Sequence, residues 1–319
     1  MSKPFKLIGE LINNSFLRAR QAWTAKDTAA YQNLAQLQEK RQADALTVNI
    51  DGTQAIQVKM DQMLEFLPKL VPALQEATRL PLAFDNPSVL FHRKALPLYD
   101  RSRSPAPILN SLAASREHLP EMISLVKEFD TRVIVMASER FTDDGGAPCR
   151  SAQEVYETAA QFADRLRAEA GRKNDDIIFD PGLAPVGADT YGLVNMGLDA
   201  IRLIRKDPSL AGVHISVGLT NFSFGVPKEL KPLLEYAYLT LALEAGLDTV
   251  LANPEKDLRI VDPADPVLKV VREALEQGRP VDGETQEDAG FRQAEKIMEL
   301  YRFTRWPCPG KIFPRSWAA

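Results

Sequence analysis

Short apolar runs in this sequence end, one after another, on side-chain amides and carboxylates. Glu10 and Asn13 follow "KLIG", Asn49 and Asp51 follow "ALTV", and Asp85 and Asn86 follow "LPLAF". Asn110 and Ser111 close "APILNS", Asp180 closes "DIIFD", Asn221 lies within "VGLTNFSFGVP", and Asn253 follows "DTVLA". Any one of these has an ordinary explanation, because Asp and Asn form turns and cap the next helix. Asp51 in "NIDGT", Asn86 in "DNPS" and Asn253 in "ANPE" are read in that way. Glu10, Asn49, Asp85, Asn110, Asp180 and Asn221 are instead expected at last strand positions, directed into one shared mouth. Buried there without partners they would be costly. A carboxylate accepts two N–H bonds and a carboxamide both gives and accepts, so the set suits a flat heterocycle with alternating donors and acceptors. It holds no histidine and little cationic charge, which argues against a metal ion or a phosphorylated ligand. A pterin- or purine-like ring is the ligand class this chemistry implies.

The elements that must present these residues form a regular series. Apolar or β-branched runs begin at Lys6, Ala45, Leu80, Ala106, Arg132, Asp176, Gly212 and Asp248, and they alternate with stretches of helical length. Residues 16–40 read as helical, and so do 151–171, where Ser151 and Glu154 are spaced as a capping box and Gly171 closes the C-terminus. Near-continuous apolar strands separated by helices indicate a parallel sheet covered on its outer face. Eight such units close a (β/α)8 TIM barrel, whose active sites lie at the C-terminal strand ends. An open doubly wound sheet is the competing fold, but no run is followed by a dinucleotide or P-loop glycine pattern. The barrel is assigned to residues 1–280. A C-terminal helical extension, with a helix over about 287–304 and the tail "RWPCPGKIFPRSWAA" along the surface, takes 281–319.

Composition narrows the class. The 319 residues are 45% hydrophobic and 26% charged, with a formal net charge of -4 and no basic stripe of the kind nucleic acid requires. Cys149 and Cys308 form no ligand pair and there are only three histidines, so no built-in metal site is expected. The first residues lack a signal-peptide core, and no run approaches the roughly 18 apolar residues of a membrane span. A soluble, cytoplasmic chain with no nucleic-acid or membrane partner is the expectation.

Taken in order, "IGELIN", "LTVNIDG", "LAFDNPS", "ILNS", "IFDPGLAPVG" and "GLTNFSFGVP" resemble the pterin-binding (β/α)8 enzymes. Among them the resemblance is closest to the methyltetrahydrofolate:corrinoid methyltransferases and the folate module of cobalamin-dependent methionine synthase. It runs in register from about Lys6 to Asn253, and the "DPG" and "GLTNFSFG" pieces are its most specific parts. The resemblance implies that Asp85, Asn110 and Asp180 hold the pyrimidinone edge of the pterin. It puts Asn49 beside the ring, and Glu10 and Asn13 in the first-strand motif. Asn221 then lies next to N5 as the catalytic residue. Leu11 stands where an arginine is common and Thr47 where an acidic residue is frequent, so contacts from the first two strands depart from the pattern. Methyltetrahydrofolate or tetrahydrofolate would be the substrate. The chain has no Asp-x-His-x-x-Gly signature, so the corrinoid (cobalamin) is expected on a separate protein that docks transiently at the barrel mouth. A homodimer through the segment after the barrel is also implied.

Two rivals stay open. Dihydropteroate synthase shares the fold and the "DPG", but its seventh strand ends in Ser-Arg-Lys, where this chain has Thr220, Asn221 and Phe222. A pterin-binding partner protein without catalysis is the other. The segment 139–151, "ERFTDDGGAPCRS", is either a lid or an ordinary loop. Arg101 and Arg103 are either solvated or placed for an acidic tail, and Phe222, Phe224 and Pro227 pack in the core or form the rim.

Overall fold

Each of the eight apolar runs forms a strand, and the strands close into a barrel. In chain order the strands are β1 (Lys6–Gly9), β2 (Ala45–Val48), β3 (Leu82–Asp85), β4 (Ile108–Ala113) and β5 (Arg132–Met136), followed by β6 (Glu139–Thr142), β7 (Gly145–Pro148), β8 (Ile177–Asp180), β9 (His214–Gly218) and β10 (Thr249–Ala252). The computed structural model describes residues 3–143 and 145–304, so the tail expected on the surface lies outside the described residues. Around the barrel the order is β1-β10-β9-β8-β5-β4-β3-β2, and helices separate successive barrel strands. The fold is a (β/α)8 TIM barrel with parallel pairing throughout, as in Lys6 beside Thr249 and Asp85 beside Asn110.

Side-chain alternation along the strands explains the interior. Ile8, Ala45, Ala83, Ile108, Ile134 and Ile178 form an apolar cluster separate from the main core, with Leu251 packed against it. Successive strand residues face opposite sides, so the next inward position lies two residues on. From Ile8, Ala83, Ile108 and Ile178 that step reaches Glu10, Asp85, Asn110 and Asp180. An apolar plug therefore underlies the polar mouth, and one register sets both.

The helices cover the outside through apolar stripes. The helix Leu193–Lys206 buries Val194, Leu198, Ile201 and Ile204, spaced three and four apart. Ser151 caps the helix Ala152–Ala170 by accepting from the Glu154 amide at 3.2 Å, and Gly171 closes it at φ 64°. The expected helix over 16–40 is instead two, Leu17–Ala25 and Thr28–Lys40. Lys26 takes a left-handed conformation at φ 51°, and Asp27 captures the Ala30 amide at 3.0 Å to start the second helix. The C-terminal helix Gln286–Thr304 packs on the barrel: Gln293 is buried and donates to the Val186 carbonyl at 3.3 Å. No described helix is long and apolar enough to cross a membrane.

Two segments that each had two readings take definite form. Residues 139–151 are not a plain loop, because β6 and β7 pair as an antiparallel hairpin. Ser115 Oγ donates to Glu139, and Phe141 packs on Phe162 of the following helix with ring centroids 4.9 Å apart. Strand propensity was hidden there by a turn rich in Asp and Gly. Arg101 and Arg103 precede β4, at the end of the barrel away from the mouth. They pair with Asp130 and Asp100 and take no part in the rim.

Gly146 lies so close to Ser115 that a Cβ would run into its backbone. Gly146→Val should therefore dislodge the hairpin, costing about 1–3 kcal/mol as an overpacked site does. Urea denaturation together with limited proteolysis checks this, and cleavage within 139–148 should appear only in the variant.

Candidate functional site

One side of the mouth is an amide–carboxylate network built on β2, β3 and β4. Asn49, just past β2, donates from Nδ2 to Asp85 Oδ2 at 3.0 Å, and Asp85 lies in register with Asn110. Burial raises the Asp85 carboxyl above its usual range; the Asn49 hydrogen bond and the positive charge of Arg116 oppose the rise. Arg116 is itself held by the Ser111 carbonyl at 3.2 Å and hydroxyl at 3.1 Å. Asn86, expected to be only a turn former, does accept from the Ser88 amide at 2.8 Å. It also donates to Asp51 Oδ1 at 2.5 Å and is buried. Below it, His92 lies 2.8 Å from the Asn86 carbonyl through Nε2, and burial lowers its pKa to about 4. The ring is thus neutral near pH 7, with Nε2–H donating to that carbonyl. Burial, with the Asp85 charge second, pushes Asp51 up to about 6. Asn253 fits the turn role alone, accepting from the Glu255 amide at 2.8 Å.

Across the mouth, Asp180 ends β8 and accepts from the Gly182 amide at 2.8 Å. Burial raises its pKa to about 6. At the ends of β1, β9 and β10 opens a cavity of about 540 Å³, lined by Glu10, Asn13, Gly218, Asn221, Lys231 and Lys256 among others but not by Asp180. Glu10 is only 6% exposed, and its Oε1 has no hydrogen-bond partner among the described residues. Burial pushes its pKa up to about 7; the Lys256 charge works against the rise and the Glu235 charge adds to it. Asn13 turns toward the following loop, accepting from the Ser15 amide at 2.8 Å.

Asn221 departs from its expected position. β9 ends at Gly218, and Asn221 closes a one-turn 3-10 segment, Leu219–Asn221, on the exposed side of the mouth. A Cβ at residue 218 would lie 3.0 Å from Asn221 Nδ2, so glycine there leaves room for the amide. Gly225 has a different function: its φ of 80° closes the turn, and nothing crowds it. The Asn221 side chain makes no hydrogen bond within the described residues. Phe222 is fully buried and Phe224 is 71% exposed, so only the second belongs to the rim.

Round the mouth, Asn49, Asp85 and Asn110 follow one another at β2, β3 and β4; Asn13, past the adjacent β1, bridges to Asn49 and lines the cavity with Glu10 and Asn221, while Asp180 ends β8 next to β9. Sequence reasoning missed the cations. Lys231 and Lys256 line the cavity and Arg116 flanks Asp85, contrary to the expectation of little positive charge. Lys256 lies three residues past Asn253, a spacing that could have pointed to it. Lys231 comes from a helix start and Glu235 from inside a helix, where periodicity says nothing about the mouth. Among the described residues, no group of three or more His, Cys, Asp or Glu is placed to hold a metal ion.

Comparison with known proteins shows the family and the fold. The family described as "Pterin binding enzyme" matches residues 13–253. A methylcorrinoid:tetrahydrofolate methyltransferase of Eubacterium limosum is 24% identical over 253 residues, covering 78% of this chain and 84% of its own. The fold is shared with dihydropteroate synthases. That of Xanthomonas albilineans superposes with a TM-score of 0.55 at 19% identity, over 87% of this chain and 95% of the other. That of Vibrio fischeri ES114 reaches 0.58 at 16% identity, with the same two coverages.

The buried carboxyls carry a pH signature. Glu10 binds its proton more tightly in the folded chain (about 7) than at the ordinary value of 4.5. Its contribution to stability is therefore full below about pH 4.5 and is lost as the pH rises through about 7. The difference amounts to about 3 kcal/mol. Asp180 and Asp51 act in the same sense over a lower range. Urea midpoints should fall between pH 5 and 8, and Glu10→Gln should flatten the upper part of that fall. Parallel curves for the two proteins would contradict the assignment.

Proposed function

The chain belongs to the pterin-binding enzymes, and we propose that within that family it moves a methyl group between N5 of methyltetrahydrofolate and the cobalt of a corrinoid carried by a separate protein. The observation that carries this reading is the Asn221 amide, unpartnered within the described residues, on the wall of a cavity that also holds the partnerless Glu10 carboxyl. The relative from Eubacterium limosum, named for transfer between a methylcorrinoid and tetrahydrofolate, supports the reaction class.

In this reading Asp85, Asn110 and Asp180 take the N–H groups of the pyrimidinone edge, and Asn49 fixes Asp85 while lying beside the ring. Glu10 and Asn13 close the side nearest Asn221. The C–N bond breaks with its electron pair left on N5, so N5 must gain a proton or a strong hydrogen bond as the methyl leaves. A donor that strengthens only as charge develops lowers the barrier selectively. The Asn221 amide accepts from protonated N5 or donates to neutral N5 by rotating, without titrating itself. Burial lifts the Glu10 pKa to about 7, so its carboxyl exchanges a proton near neutral pH. The same groups serve both directions by microscopic reversibility. A corrinoid, when bound, supplies the reduced cobalt that takes the methyl group. The rim suits a docked protein, for Tyr191 and Phe224 are 74% and 71% exposed on loops after β8 and β9. Exposed Phe291 and Met298 on the C-terminal helix offer a surface for a homodimer.

Dihydropteroate synthesis keeps one observation in its favour, the lysines of the cavity. Lys256, however, donates to both Glu235 oxygens at 2.8 Å, which neutralises the charge a departing pyrophosphate would need.

Asn221→Ala should leave the dissociation constant for methyltetrahydrofolate within several-fold and slow transfer to cob(I)alamin by about 10²–10³, as loss of a charge-stabilising donor does. Asp180→Asn should mainly weaken folate binding. Fluorescence titration and anaerobic stopped-flow absorbance separate the two effects. Unchanged transfer in Asn221→Ala would overturn the role of that residue.

A further inference from the structure

Glu235 is fully buried, on the helix Lys231–Ala245, and a carboxylate in that position is tolerated only when fully partnered. Its partners come from two different mouth loops. Ser223, two residues past Asn221, donates from Oγ to Glu235 Oε1 at 2.6 Å. Lys256, in the loop after β10, donates from Nζ to both carboxylate oxygens at 2.8 Å. One carboxylate thus ties the loop after β9 and the loop after β10 to the helix between them.

Phe222, between Asn221 and Ser223, adds a second anchor. Its ring stacks on Tyr238, one turn along the same helix, with centroids 4.5 Å apart, and its carbonyl accepts from the Val186 amide at 3.0 Å. Phe222 and Ser223 are both buried while Asn221 is exposed. The turn is held immediately after Asn221, and the unpartnered amide stands out from a fixed backbone.

We propose that the Ser223–Glu235–Lys256 set is a positioning device for methyl transfer: it fixes the turn that presents Asn221, and its paired charges face Glu10 across the cavity. This rests on the methyl-transfer reading of the mouth. The charged groups on that cavity are Glu10 just past β1, Lys231 and Glu235 from the helix, and Lys256 from the loop after β10. Glu235 favours the protonated form of Glu10 and Lys256 opposes it, so the balance changes whenever one of the pair is neutralised. None of the three touches the reacting atoms; they act through Asn221 and Glu10.

The test compares Glu235→Gln, Ser223→Ala and Lys256→Arg with the wild-type chain, by hydrogen–deuterium exchange over 219–227 and by single-turnover transfer to cob(I)alamin across pH. Ser223→Ala removes one hydrogen bond without a charge change and guards against a Glu235→Gln chain that fails to fold. Both should speed exchange in the turn and slow transfer, by up to about a hundredfold for Glu235→Gln, with folate affinity within about threefold. Glu235→Gln should also move the pH limb of the rate to lower pH, because the charge that favours the Glu10 proton is gone. Ser223→Ala should leave that limb in place, and Lys256→Arg, which keeps the charge, should retain near-normal rates. Wild-type exchange, rate and pH limb in Glu235→Gln would overturn the proposal. Should the wild-type chain itself transfer no methyl, the reading of function fails instead, and the clamp stands or falls on exchange alone.

Discussion

A carboxylate at the end of a barrel strand is out of bulk water, and something must compensate for its charge. The rest of the mouth is organised around that constraint. Asp85 is met by the Asn49 amide and the Arg116 charge, and Glu235 by Ser223 and Lys256. Asp180 has a single backbone amide. Glu10 has one oxygen with no partner and keeps its proton up to about pH 7. The least compensated of these carboxyls, Glu10, lies on the cavity that Asn221 overlooks. Groups whose hydrogen-bonding capacity the protein leaves unmet are those a ligand can meet.

The apolar plug makes this arrangement rigid. Ile108 and Asn110, Ile178 and Asp180, Ala83 and Asp85 are pairs on one inward face, so a strand cannot slip by one residue without turning its polar tip out of the mouth and its plug residue out of the barrel. Packing below and chemistry above are specified by the same register. Asn221 is the exception. It reaches the cavity from a turn beyond its strand, and its position depends on the Phe222–Tyr238 stack and the Ser223–Glu235 bond rather than on sheet register.

Legibility in the sequence follows the same division. All eight barrel strands could be read, because uninterrupted runs such as "RVIVM" and "DIIF" have one physical explanation in a chain of this length. The polar strand ends could be read too, since two-residue alternation carries Asp85 or Asp180 inward once the run is placed. What could not be read depends on three-dimensional proximity. Nothing local marks Glu235 as buried under Ser223 and Lys256, nor His92 as the support of Asn86. The hairpin of β6 and β7 was masked by its Asp- and Gly-rich turn. Asn86 was legible as a turn residue, but its bond to Asp51 spans thirty-five positions.

The central claim is that this mouth moves a methyl group from N5 of a folate. The most direct test mixes the purified chain with methyltetrahydrofolate and cob(I)alamin without oxygen and follows the cob(I)alamin absorbance, beside a parallel incubation with a pterin pyrophosphate and p-aminobenzoate. The account predicts loss of the cob(I)alamin band at a rate proportional to enzyme, with no dihydropteroate formed in the second vessel. Dihydropteroate formation with a stable cob(I)alamin band would contradict it.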